Sequence, residues 1–170
     1  MKIKRLLMLL CLGLVPVAHA QQYAPGSTDI STSQGTVRIN SGYVSHFNAN
    51  SFHVYSFQYH PAADATVWNQ LPLLPALNAA PTEFLVKATA TADFPLRDAR
   101  VLVESNDVVL YVAQLKYKET PYDDATSVEL QRYLLRQQAD EERWAWVLDA
   151  TRVLPKGVDV TQALSRLSTR

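Results

Sequence analysis

Three histidines, His46, His53 and His60, recur at seven-residue intervals. Imidazole is both a common metal ligand and a general base near neutral pH, so their spacing decides what they can do. Seven is odd, and along one continuous strand His53 and His60 would project from opposite faces of a sheet. Asn48-Ala49-Asn50 is turn chemistry. A hairpin centred there pairs Phe47 with Phe52, His46 with His53 and Val44 with Tyr55. His46 and His53 then stand opposite each other on one face, where two imidazoles could share a zinc or copper ion. Metal sites take three or four ligands, and neither His-x-His nor His-x-x-x-His accompanies the pair. No metal and no cofactor is expected.

Other chemistry is equally sparse. Ser41, Ser45, Ser51 and Ser56 lie near the histidines, yet none sits in a Gly-x-Ser-x-Gly elbow or a Ser-x-x-Lys arrangement. Glu83, Asp93, Glu104 and Asp107 could supply the carboxylate pair of a hydrolase acting on cell wall or polysaccharide, a chemistry that their separation decides. Exposed acids at strand ends and turns are the simpler reading, and no catalytic residue is assigned.

Aromatic side chains carry the remaining signal. Tyr43, Phe52, Tyr55, Phe57, Tyr59 and Trp68 crowd one third of the chain; Tyr111, Tyr117, Tyr122, Trp144 and Trp146 crowd another. On the second hairpin strand His53, Tyr55, Phe57 and Tyr59 share a face. Buried aromatics are mostly core, but exposed aromatic patches mark recognition surfaces. The candidate binding surface is therefore His46, His53, Tyr55, Tyr59 and Trp68.

The elements that must position these residues begin after an address. Lys2, Lys4 and Arg5 precede the apolar run Leu6 to Val17, and Ala18-His19-Ala20 supplies a small-x-small cleavage site. The run is shorter than the roughly 20 residues that span a bilayer. A lipidated Cys11 would need a small residue before it, where Leu10 stands. Residues 1–20 are thus read as a cleaved signal peptide, with the protein periplasmic or secreted and without a stable membrane anchor after cleavage. Three of the 16 basic residues leave with this segment and none of the 16 acidic ones does, so the mature chain carries a formal net of −3. That balance argues against a general nucleic-acid binder. Cys11, Met1 and Met8 leave too, which removes thiolate chemistry and disulfides from the mature chain.

Residues 21–35 are polar and Ser/Thr-rich and read as a disordered leader. A single α+β domain is expected over 36–170. Thr36 to Phe47 and Ser51 to His60 read as strands. Pro61 to Pro81, with four prolines, reads as a long ordered connection packed down by Trp68, Leu71, Leu73, Leu74 and Leu77. Glu83 to Ala92 is a further strand, and Ala99 to Glu104 with Val108 to Tyr117 forms a hairpin around Ser105-Asn106-Asp107. Val128, Leu130, Leu134 and Leu135 give helical spacing, capped by Asp123 or Asp124 and running through Arg136 to Glu142. Trp144 to Leu154 fits two readings: Trp144, Trp146 and Leu148 alternate as a strand, while Trp144, Val147, Leu148 and Thr151 would continue the helix; the polar run before it favours the strand. Asp159 and Gln162 make a capping box before a short amphipathic helix. The expected architecture is an antiparallel sheet of about five to six strands, one central helix and a C-terminal helix.

Export, the lack of a catalytic constellation and the aromatic surplus lead to one reading. The chain is a non-enzymatic exported binding protein that contacts another envelope protein or a small apolar ligand through an aromatic sheet face. An envelope hydrolase and a structural assembly factor are the alternatives.

Overall fold

The computed structural model of the protein describes residues 22–48, 51–63, 66–124, 126–138 and 143–167. The expected signal peptide lies outside them. Ten strands follow in chain order: β1 (Gly26–Thr32), β2 (Gly35–Val44), β3 (Phe52–Pro61), β4 (Asn69–Gln70), β5 (Leu73–Leu74), β6 (Val86–Ala90), β7 (Pro95–Glu104), β8 (Asp107–Lys116), β9 (Ser127–Gln137) and β10 (Trp144–Val153). One helix, α1 (Val160–Ser165), comes last.

The strands form one mixed sheet in the order β1-β2-β3-β6-β7-β8-β9-β10-β5, with β4 against β3. Every pairing is antiparallel except that of β5 with β10. The sheet folds over so that β2 and β3 lie on the second half, and Phe57 meets Trp146 edge-on at 5.9 Å between ring centres. Between the two layers pack Val37, Ile39, Tyr55, Phe57 and Tyr59 from one side and Val101, Leu110, Tyr133, Leu135 and Trp146 from the other. The segment 69–74 staples the layers together. The Leu71 N–H donates to Phe57 O on β3, and the Trp146 N–H of β10 donates to Pro72 O.

This is a nearly all-β protein, and the α+β expectation with a central helix is wrong. The error lies in residues 127–137, which form β9 and not a helix. β9 is buried on both faces. Tyr133 and Leu135 join the interlayer core, while Val128 joins a second cluster on the outer side of the β7–β10 layer, with Leu130 and Leu134 packed against it. Apolar residues on both faces erase the two-residue alternation that marks a half-buried strand, and what is left resembles a helical spacing. Residues 139–142, the rest of the expected helix, lie outside the described residues. Arg136, placed within that expected helix, bonds Asp107 across the sheet at 2.9 Å.

The leader is corrected as well. Residues 26–32 form β1, an edge strand paired with β2 along its whole length, and Arg38 clamps Asp29 through two 2.8 Å bonds. Its polar composition follows from exposure on an edge, and Ile30 alone turns toward the core. The β1–β2 turn demands Gly35. Its φ is +153°, and a Cβ there would stand 2.4 Å from His60 O.

Trp144–Val153 is β10, the strand and not a helical continuation. The C-terminal helix starts where Asp159 accepts the Gln162 N–H at 2.7 Å. Val160, Ala163 and Leu164 press it onto the outer face of β7 and β8.

Candidate functional site

β3 fixes the histidine question. Its odd-numbered residues point inward because Tyr55, Phe57 and Tyr59 supply the largest apolar surfaces on the strand, and burying them drives the register. β2 answers with Val37, Ile39 and Ser41 opposite Tyr59, Phe57 and Tyr55. The observed pairs are Val44 with Phe52 and Tyr43 with His53. That is three residues from the expected register and flips the faces of one strand relative to the other. The connection is longer than a tight turn centred on Ala49: Phe47 takes φ 58°, the His46 N–H donates to Ser51 Oγ at 3.0 Å, and Ser51 N–H and Oγ both donate to Asn48 O. Ala49 and Asn50 lie outside the described residues.

His46 and His53 are therefore not opposite each other. His46 is exposed and stacks on Phe52 at 5.6 Å, while His53 is buried against Tyr43 at 4.8 Å. His60 lies on the outer face with its ring 5.1 Å from Trp68. Among the described residues no three metal-ligating side chains gather.

The expected binding surface is split by burial. Tyr55 and Tyr59 have 0 % and 1 % of their surface exposed and are core. Tyr59 donates its hydroxyl to Gln34 O at 2.7 Å, whereas the Tyr55 hydroxyl turns toward Asp98 without a hydrogen bond of good geometry. Trp68 is partly exposed, and the Arg38 guanidinium lies 4.2 Å above its ring.

A polar nest sits where β6 ends and leaves the edge of β7 open. Tyr23 fills the gap: its hydroxyl oxygen accepts the Val101 N–H at 2.7 Å, and its carbonyl accepts the Ser41 hydroxyl. Burial pushes the Tyr23 phenol up to about 12. Asp98, buried beside it, accepts the N–H of Ala99 at 2.8 Å and of Gln22 at 3.4 Å. Burial holds its carboxyl above the ordinary value, and the bonds from Ala99 and Gln22, with the Tyr55 hydroxyl nearby, offset only part of that. His53 and Asp98 line the same crevice of about 90 Å³, too small for a substrate.

The four carboxylates considered for hydrolysis are dispersed, each tied to its own partner. Glu83 bonds Arg97 at 2.7 Å, Asp93 accepts from Tyr122 at 2.9 Å, Glu104 bonds Arg132 at 2.9 Å and Asp107 bonds Arg136 at 2.9 Å.

One concavity was not singled out by sequence reasoning. The 69–84 segment and the β9–β10 end enclose about 600 Å³. Pro72, Ala79, Ala80, Pro81, Phe84 and Trp144 give it apolar walls, and Asn69, Gln70, Asn78, Gln138 and Arg143 supply polar groups. Its shape comes from the prolines, which keep the segment out of regular sheet, and from Leu71, Leu73 and Leu74, fully buried beneath it. Asn78 adds a bend at φ 61°. Leu77, Phe84 and Leu85 remain exposed. The long proline-rich connection was the available signal; its apolar residues were read as anchors, which Leu71, Leu73 and Leu74 are and Leu77 is not.

An all-β sandwich with one helix laid on its outer face is a fold seen in another protein. The crystal structure of CarG matches this chain with a TM-score of 0.63, covering 86 % of this chain and 93 % of that one at 17 % sequence identity. At that identity the likeness is one of fold. No protein-family model matches the sequence, and no curated protein does. Among the described residues no helix is long and apolar enough to cross a membrane.

Proposed function

We propose that the chain is a non-enzymatic exported binding protein, periplasmic or secreted, and that the concavity under the 69–84 segment is where it binds. The observation that carries this reading is the make-up of that concavity. Apolar walls with a few amide groups and one arginine, about 600 Å³ in extent, match a site for a small, mostly apolar ligand. Among the described residues that line it there is no histidine, carboxylate or hydroxyl nucleophile.

A second reading, docking of an envelope protein, is favoured by the exposure of Leu77, Phe84 and Leu85 at or near the rim. One experiment separates the two. A photo-reactive benzoylphenylalanine replaces Phe84, and in a second strain Arg38 on the outer face of the first layer; both are irradiated in the producing cells. Small-ligand binding gives an adduct of a few hundred daltons at position 84 by intact mass, and protein docking gives a cross-linked band. Ala80→Trp, which fills the concavity, should remove either product. Equal labelling at positions 84 and 38, or none at 84, would refute the site.

A further inference from the structure

A second hollow, of about 400 Å³, lies on the other side of the β7–β10 layer from the core. Register brings its residues together. On the outer face, Tyr111 of β8 stands beside Arg132 of β9, Arg132 beside Ala150 of β10, and Leu130 beside Arg152. Arg166 and Leu167 close the hollow from the end of α1. That wall is pinned to β7, because the Arg100 guanidinium donates to Leu164 O at 2.9 Å and to Leu167 O at 3.3 Å.

Its three arginines are in different states. Arg132 is saturated: it bonds Glu104 at 2.9 Å and also Asp149, while the Tyr111 hydroxyl donates to the other oxygen of Glu104 at 2.6 Å. Burial works against the Arg132 charge, and the bonds to Glu104 and Asp149 outweigh it and keep the guanidinium fully protonated. Both carboxylates are spent on this one cation. Arg152 and Arg166 are exposed, and among the described residues neither guanidinium has an ion pair or hydrogen bond. The hollow therefore offers two free guanidinium forks over a floor of Leu130, Ala150 and Leu167.

We propose that this hollow binds a small ligand carrying one oxyanion, a carboxylate or a phosphate, on an apolar body. The guanidinium fork matches both anions in geometry. Two unpaired cations around one concavity repel each other, and an anion between them relieves that repulsion. The charge excess is local, since residues 21–170 carry a formal net of −3, so the site selects a compact anion and not a polyanion. The saturated Tyr111–Glu104–Arg132–Asp149 network acts as a rigid wall and does not compete for the ligand.

Isothermal titration at low salt tests this on the chain without residues 1–20. The probes are phenyl phosphate and benzoate, one for each oxyanion, with inorganic phosphate as the reference that lacks an apolar body. One or both aromatic probes should bind one-to-one and at least about tenfold more tightly than inorganic phosphate, the increment expected from burying a ring against leucines. The preferred probe identifies the oxyanion. Arg152→Gln and Arg166→Gln should each weaken binding about fivefold or more, and Arg166→Lys should retain part of it as a point charge without the fork. Arg38→Gln, on the far layer, should change nothing. Because the Arg152 and Arg166 side chains have no partner to lose among the described residues, the variants should melt with the wild type, which a thermal scan checks. Absence of saturable binding, insensitivity to both arginines, or an equal loss in Arg38→Gln would overturn the proposal.

Discussion

Tyr55 and Tyr111 face opposite fates on the two sides of this sandwich. Tyr55 points into the space between the layers, wholly buried, with Tyr23 edge-on at 5.4 Å and a hydroxyl that no well-formed bond satisfies. Tyr111 points to the outer face, where its hydroxyl opens a chain running through Glu104 and Arg132 to Asp149. The inner face leaves other polar atoms orphaned too: His53 Nδ1, Arg97 Nε and Trp146 Nε1 are buried without partners. Fully burying a large side chain contributes about 1.5–3 kcal/mol, similar to the roughly 1–3 kcal/mol that an unpaired buried polar group costs. Inside, therefore, apolar area sets the geometry and polar satisfaction yields to it. Outside, the Tyr111–Glu104–Arg132–Asp149 network satisfies its polar groups beside a second apolar cluster, and among the described residues two arginines are left over.

The sharpest way to break this comparison is to truncate the inner aromatics. Tyr55→Ala and Tyr59→Ala should each destabilise the protein by about 3–5 kcal/mol in urea denaturation, the range for large buried aromatics cut to alanine. A loss below about 1 kcal/mol at both positions would mean that they are not core. Removing only the hydroxyls is a finer probe. Tyr111→Phe deletes a bond to a charged acceptor and should cost about 1.5 kcal/mol. Tyr55→Phe deletes an orphan and should leave stability unchanged or slightly higher. Equal costs at the two positions would show that Tyr55 has a partner after all, and the contrast between the faces would fail.

How much of this was legible in the sequence follows the same division. β3 was readable because its large apolar residues alternate strictly, and β8 because both its faces are apolar within a marked hairpin. β9 was not, since Val128, Leu130, Tyr133, Leu134 and Leu135 serve two cores at once and the alternation is lost. β1 was missed for the opposite reason: an edge strand with few buried side chains has the composition of a disordered leader, although Thr28, Ile30 and Thr32 keep a β-branched residue at every second position. The hairpin register depended on a loop whose length is set by backbone bonds to Ser51 and a left-handed Phe47, neither of which residue types announce. That slip is why His46 and His53 were paired when Tyr43 is the true neighbour. The concavities depend on contacts distant in sequence. Arg132, Arg152 and Arg166 meet only once the β9–β10 pairing and the seat of α1 are known.

The smallest expected effect concerns His53, whose imidazole shares its crevice with Tyr43, Arg97 and Asp98. Burial lowers its pKa below the ordinary 6.5, so the folded protein resists protonating it while the unfolded chain does not. The sign follows from linkage: above pH 6.5 both states hold a neutral ring and nothing is lost, and as pH falls below 6.5 the unfolded state takes up a proton that the native state refuses. Stability should therefore decline on acidification from pH 7.5 toward the depressed pKa. Asp98 works the other way, since burial raises its carboxyl above 3.8, and its window opens as the pH approaches that range from above. His53→Gln removes the imidazole and leaves Asp98 in place. Urea midpoints measured from pH 7.5 to 5.5 should fall more steeply for the wild type than for His53→Gln, so that the gap between them changes in the variant's favour at the acid end. Parallel curves would mean that the imidazole is free to protonate in the folded state, and the inner face would then be wetter than its burial implies.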